Sequence, residues 1–331
     1  IGLSAGSTVL VGQAWGAQNI EKVRAVVGST LFMTLIGGSI IAIFGVLAAK
    51  SILLALGTDP AVMHLSLPYV QWMLAGSPLL FIYIIYTSIL RGVGDSITPL
   101  IALGMTSLIG LFITPVLIAG YFGFPQLGII APAIATIVGY LAVLIFLFVY
   151  LNKKNHPLKP DRALCKFIRY DPELSKVILR LGIPTGIQMV TTSVEGLVIV
   201  GLVNRYGSDA TVAYGAVNQV LNYIQFPALS IGIAASIFAA QAIGAGKADS
   251  LSKVTKTALG MNIIITGSLV ILAYLFSKYL MALFITDPAV VVLGQQLLFI
   301  VLWAILFFGA SAIFASIMRA SGTVTVPMII N

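Results

Sequence analysis

The chain has 331 residues, of which 59% are apolar and only 8% charged, with a net charge of +8 and one cysteine. Soluble domains carry roughly 25% charged residues, so the composition excludes an ordinary soluble domain and points to a membrane protein. A lone cysteine, Cys165, excludes an intrachain disulfide and argues against a thiolate metal site, and His64 and His156 are isolated from each other.

Apolar runs of about 20 residues span roughly 30 Å of hydrocarbon. In chain order they predict a partial helix at 1–16 and helices at 26–57, 61–90, 97–121 and 127–151. Further helices follow at 177–204, 210–243, 257–285 and 289–318, with a partial helix at 324–331. Some runs exceed a straight crossing, which implies tilt or extension beyond the bilayer. Both ends look cut, since the chain starts without Met in an apolar stretch and stops at Asn331 early in another. No signal peptide is visible.

Residues 152–176 form the one polar stretch, with Pro157, Pro160 and Pro172 among charges. They are expected to link an N-terminal lobe, 1–151, to a C-terminal lobe, 177–331, with a short amphipathic piece around Leu164–Tyr170. Assigning alternate loops to two sides puts 15 Lys and Arg on one side and 3 on the other. The richer side, which includes 152–176, is expected to be cytoplasmic. The basic balance then reports topology and attraction to membrane lipid, with no nucleic acid among the partners.

The chain also repeats itself. Gln13-Ala14-x-Gly16-Ala17 recurs as Gln241-Ala242-x-Gly244-Ala245, and Thr58-Asp59-Pro60-Ala61-Val62 as Thr286-Asp287-Pro288-Ala289-Val290. Arg91-x-x-Gly94 with Pro99 recurs as Arg319-x-x-Gly322 with Pro327. Every pair is 228 residues apart, and 12–99 against 240–327 gives 24 identities in 88 positions. That offset covers six crossings, an even number, so the two copies enter the membrane in the same direction. Parallel repeats of this kind are a mark of transporters, with the substrate path between the halves.

The motifs have structural readings of their own. Asp59 and Asp287 precede Pro at the first helical position, which predicts two capped helix starts. Gly16-Ala17 and Gly244-Ala245 predict tight cytoplasmic turns. Arg91 and Arg319 sit where their helices meet the cytoplasm; dipole compensation and topology explain them, and a cytoplasmic gate is the alternative.

Three segments carry a resemblance. They are Gly12-Gln13-Ala14-Trp15-Gly16-Ala17-Gln18, its counterpart Ala240–Lys247, and Arg91-Gly92-Val93-Gly94-Asp95-Ser96-Ile97-Thr98-Pro99. Doubled at matched positions, they resemble the multidrug and toxic compound extrusion (MATE) family over essentially the whole chain. The resemblance implies an all-α polytopic membrane protein of two parallel six-helix repeats. The family has twelve helices; about ten are covered here, two of them partial, so helices 1 and 12 lie outside the sequence. It further implies a monomeric antiporter of the prokaryotic cytoplasmic (inner) membrane, without a cofactor, that exports small organic cations in exchange for Na⁺ or H⁺. A lipid-linked oligosaccharide flippase of the same superfamily is the alternative.

Of ten acidic residues, only Glu195 lies well inside an apolar segment, the seventh helix of the family template. A carboxylate there is costly, which makes it a functional candidate for cation or proton coupling. Gln188, Thr191, Thr192 and Glu195 follow i, i+3, i+4, i+7 spacing and share a face. On the next helix Tyr214, Asn218, Asn222 and Gln225 form a matching polar stripe, and the depths of the two stripes agree to within roughly a turn. Their oxygens and amides suit a proton or Na⁺ equally, while hydrogen-bonded helix packing is the competing reading. Tyr69, Trp72, Tyr83 and Tyr86 are a second tier, as a cation–π lining or as interfacial packing.

The chain departs from family patterns elsewhere. The helix 5 Asn-x-x-x-Asp position reads Gly110 and Thr114, residues 289–318 contain no acid, and Glu195 is about a turn from the helix 7 Glu of NorM-type members. A helix 1 acid would lie upstream. An intramembrane enzyme would need a nucleophile–base pair or a metal cluster, and the sequence has no HExxH and no intramembrane carboxylate pair.

Overall fold

The computed structural model describes residues 2–330, apart from the side chains of residues 163, 329 and 330. The described residues form helices throughout: α1 (Gly2–Gly16), α2 (Ile20–Ala55), α3 (Pro60–Ala75), α4 (Ser77–Gly92), α5 (Ile97–Ala119) and α6 (Ala131–Lys153). They continue with α7 (Pro172–Val203), α8 (Ser208–Gly244), α9 (Ser250–Leu275), α10 (Pro288–Ala320) and α11 (Thr325–Ile330). Among the described residues, seven spans are long and apolar enough to cross a membrane, or eight if the bent pair α3–α4 counts as one. The polytopic all-α reading therefore holds, and large apolar side chains such as Leu197, Phe307 and Leu47 lie outward, as lipid-facing residues do.

Two elements differ from their expected form. The run 61–90 is two helices bent by 44° at Gly76. Pro78 has no N–H to give the carbonyl four residues back, which weakens the ladder at that point. Ser77 Oγ sits at the break, buried and without a hydrogen-bond partner among the described residues. The run 257–285 likewise stops at Leu275 and resumes as a short helix, Ser277–Ala282.

The predicted caps form as local chemistry demands. Asp59 accepts from the Ala61 N–H and Asp287 from the Ala289 N–H, each at 2.8 Å. The turns also form, but the special backbone is not at Gly16 and Gly244, which end their helices. It is two residues later, at Gln18 (φ 56°) and its counterpart Gly246 (φ 70°). The first copy thus places a side chain where the second has the residue suited to a left-handed conformation.

Two compact units emerge from the packing: Leu3–Trp15 with Asn19–Gly182, and Gly16–Gln18 with Ile183 onward. The core of the first gathers Val23, Val26, Ile89, Leu90 and Leu147, and that of the second Val217, Met281, Leu298 and Leu302.

The polar stretch packs into the first unit. Leu158 and Leu164 are only 0% and 1% exposed and join its core. The buried Tyr86 hydroxyl donates to the Leu158 carbonyl, and Arg24 Nε donates to the Pro157 carbonyl at 3.2 Å. Arg24 also pairs with Asp161 at 3.7 Å. Gly28 lies so close to Phe167 that a Cβ there would be 2.2 Å from its carbonyl oxygen. The helical piece is one turn, Arg162–Cys165, capped by Asp161 and earlier than the amphipathic segment expected at Leu164–Tyr170.

His156 supports this loop by accepting the Leu158 N–H at Nδ1, 3.2 Å away. Burial pushes its imidazole below the ordinary value, Asp95 opposes this, and Lys154 adds to the lowering. Only the neutral ring can accept at Nδ1. A folded-state value below the unfolded one gives stability that is present above about pH 6.5 and lost as pH falls through the folded value. Hydrogen-exchange protection at 155–165, taken relative to the intrinsic rate at each pH, should therefore fall on acidification below about pH 6.5 in the wild type and stay level in His156→Gln.

Candidate functional site

Helix α7 is continuous across Gln188, Thr191, Thr192 and Glu195, so their shared face is retained. At 1.5 Å per residue, Gln188 and Glu195 are about 10 Å apart along the axis. Thr191, Thr192 and Glu195 are exposed, and Gln188 is half-buried. The Thr192 hydroxyl returns to the Gln188 carbonyl at 3.0 Å. Among the described residues, Glu195 has neither an ion pair nor a side-chain hydrogen bond.

On α8, Tyr214, Asn218 and Gln225 are half-buried and Asn222 is exposed. No hydrogen bond joins this stripe to the α7 stripe among the described residues. Unlike packing amides, which pair across helices, these side chains are left with donors and acceptors to offer.

The structure adds a partner that sequence spacing could not show. Arg319, at the end of α10, donates through Nη1 to Gln188 Oε1 at 3.4 Å and through Nη2 to Ser316 Oγ at 2.9 Å. Its repeat counterpart, Arg91, donates in the same way to Ser88 Oγ at 2.9 Å. Ser88 and Ser316 are themselves matched at the 228-residue offset. Each repeat therefore builds the same Ser–x–x–Arg unit at a helix end, and the common spacing was legible once the repeats were aligned.

Arg91 lines a cavity of about 380 Å³ within the first unit, with Tyr83, Thr87, Ser96, Leu100 and Leu103. Tyr83 also stacks on Tyr140, with centroids 5.2 Å apart. Tyr86 does not line this cavity, because it is buried and committed to the Leu158 carbonyl. Tyr69 is half-buried, and Trp72 is exposed.

A polar pair in α9 went unnoticed in the sequence. Asn262 and Thr266, at i and i+4, are buried, and the Thr266 hydroxyl lies 3.0 Å from Asn262 Oδ1. Asn262 sits against Gly309 of α10, whose missing side chain makes the room. Among the described residues no group of three His, Cys, Asp or Glu could hold a metal ion.

Comparison with known proteins agrees with this architecture. The chain is similar to a probable multidrug resistance protein, YoeA, of Bacillus subtilis (strain 168), at 44% identity over 331 residues, covering 100% of this chain and 72% of that one. It is also similar to YpnP, another probable multidrug resistance protein of that strain, at 29% identity over 334 residues, with the same coverages of 100% and 72%. The crystal structure of MATE in complex with MaL6 shares the fold, with a TM-score of 0.89 at 19% identity, over 99% of this chain and 72% of that one. The family model described as MatE matches residues 1–116 and 184–331. With a family match over most of its length and the helical repeats to go with it, the chain belongs to the MatE family and is a membrane transporter, not an enzyme.

Proposed function

We propose that this chain is a secondary antiporter that exports organic cations from the cytoplasm in exchange for Na⁺ or H⁺, by alternating access between two lobes. The observation that carries the reading is Glu195, a carboxylate well inside an apolar helix with no cation paired to it among the described residues. An ionised carboxylate at membrane depth is costly unless it meets a cation or a proton. Coupling ion and cationic drug compete for this one negative charge, which links drug release to ion entry.

Gln188, Thr191 and Thr192 share the helix face of that charge, and Tyr214, Asn218, Asn222 and Gln225 on α8 add a second stripe of neutral oxygens and amides. Arg319 anchors the Gln188 end of the stripe, so a gate at that end would act through the Gln188 side chain. The names of the similar Bacillus subtilis proteins, which denote multidrug resistance, support a drug as cargo. A flippase for pyrophosphate-linked sugars would instead require several cations along its cavity.

Everted vesicles from cells producing the protein are expected to move ethidium when a Na⁺ or a pH gradient is imposed. Glu195→Gln should reduce the driven rate at least tenfold, since it removes the only charge the ions share. Undiminished ethidium movement by Glu195→Gln would sink the coupling role. Failure of both gradients in the wild type would sink the antiport reading.

A further inference from the structure

The twin arginines are not equivalent in what they bind. Arg319 shares its guanidinium between Ser316 and Gln188. Arg91 hydrogen-bonds Ser88 alone among the described residues, through one nitrogen, with Tyr83 of the same cavity wall as its electrostatic neighbour. The nearest acid in sequence is already committed: Asp95 accepts the Thr98 N–H at 3.0 Å and the Thr98 hydroxyl at 2.6 Å. A half-buried guanidinium with five donors and one bond calls for an anion.

The cavity walls also differ between the repeats. Tyr83, Thr87 and Ser96 line the first copy, whereas Ser311, Ala315 and Val324 stand at those positions in the second. Ser96 precedes α5 without making a side-chain cap, so its hydroxyl is available. No carboxylate lines the cavity, and its far wall is Leu100 and Leu103, both exposed on α5. Beyond them the exposed face of α5 continues through Leu108, Leu111 and Phe112. A cationic, hydroxyl-bearing hollow thus opens at one end of an apolar strip.

We propose that this cavity holds the phosphate headgroup of an anionic phospholipid from the leaflet beside the basic loops. Arg91 binds the phosphate oxygens by charge-assisted hydrogen bonds, Ser96 adds a neutral donor, and an acyl chain lies along α5. A soluble phosphate would use the same cationic group but would gain nothing from the apolar strip, which favours the lipid.

The test uses purified, delipidated protein mixed with phosphatidylglycerol or phosphatidylcholine, with retained lipid counted by native mass spectrometry. The wild type should retain one phosphatidylglycerol roughly tenfold more strongly than phosphatidylcholine, whose phosphate offers the same oxygens but brings a trimethylammonium cation against Arg91. Arg91→Gln should abolish that preference, and Ser96→Leu, at an exposed position, should weaken it. Arg319→Gln should keep it, because Gln188 already occupies that guanidinium. Retention of phosphatidylglycerol by Arg91→Gln at the wild-type level overturns the proposal. Capture of inorganic phosphate with no lipid retained by the wild type overturns it in favour of a soluble anion.

Discussion

Gly28→Ala is expected to dislodge the polar loop from the first unit. The added Cβ would lie 2.2 Å from the Phe167 carbonyl oxygen and 2.4 Å from its carbon, and both are backbone atoms. A side chain could turn aside; a backbone must move as a segment. With it would go the burial of Leu158 and Leu164, the bond from Tyr86, and the Arg24 contacts with Pro157 and Asp161. Overpacking of this kind costs typically about 1–3 kcal/mol. Release of two buried leucines raises the effect further, by about 1.5–3 kcal/mol each if fully exposed. Trypsin should cut the variant after Lys166 and Arg169 several times faster than the wild type. Gly37→Ala, on the same helix with nothing within 4 Å of its added carbon, should digest as the wild type does. Equal cleavage of Gly28→Ala and wild type would mean that the loop is not held by this contact.

Gly309→Ala is expected to have the next largest effect, this time inside the second unit. Its Cβ would meet Asn262 Oδ1 at 2.4 Å and Nδ2 at 2.6 Å. Asn262 is 1% exposed, so its amide cannot swing away into solvent. The first repeat solves the same packing problem the other way round. There Gly38, the counterpart of Thr266, leaves room for Phe81, the counterpart of Gly309, whose Cδ2 is 3.2 Å from where a Gly38 Cβ would sit. Small and large have changed helices between the copies. The single variant should lose about 1–3 kcal/mol of stability. Asn262→Ala combined with Gly309→Ala should recover much of that loss, a non-additivity expected of residues in direct contact. Thermal unfolding in detergent of both single variants and the double variant decides it; strict additivity would show that the two sites do not share the space.

These two cases show where the sequence is silent. Gly28 has Lys256 as its counterpart and Gly309 has Phe81, so nothing in the repeat marks either glycine as indispensable. Their importance comes from residues 139 and 47 positions away, Phe167 and Asn262, which share no local pattern with them. The same holds for Gln188 and Arg319: each was a candidate for its own reason, a polar stripe and a basic helix end. Only the tertiary structure, through the single hydrogen bond from Arg319 to Gln188, joined them. Glu195 is the opposite case, because a charge in an apolar run is conspicuous without any neighbour.

By itself the sequence determined the helical membrane class, the duplication, the capped starts at Asp59 and Asp287, and the singular position of Glu195. Those features depend on hydrophobic runs, on side chains reaching backbone two or three residues away, and on identities at a constant offset, all of them local or directly countable. Tertiary structure alone decided that the polar loop is part of the first unit, that Tyr86 serves it, and that Arg91 and Arg319 differ in their partners. It also decided the break at Gly76, where a run apolar enough for one helix became two. Burial and hydrogen-bond satisfaction belong to pairs of residues far apart in the chain, and composition or periodicity constrains each member without choosing its mate.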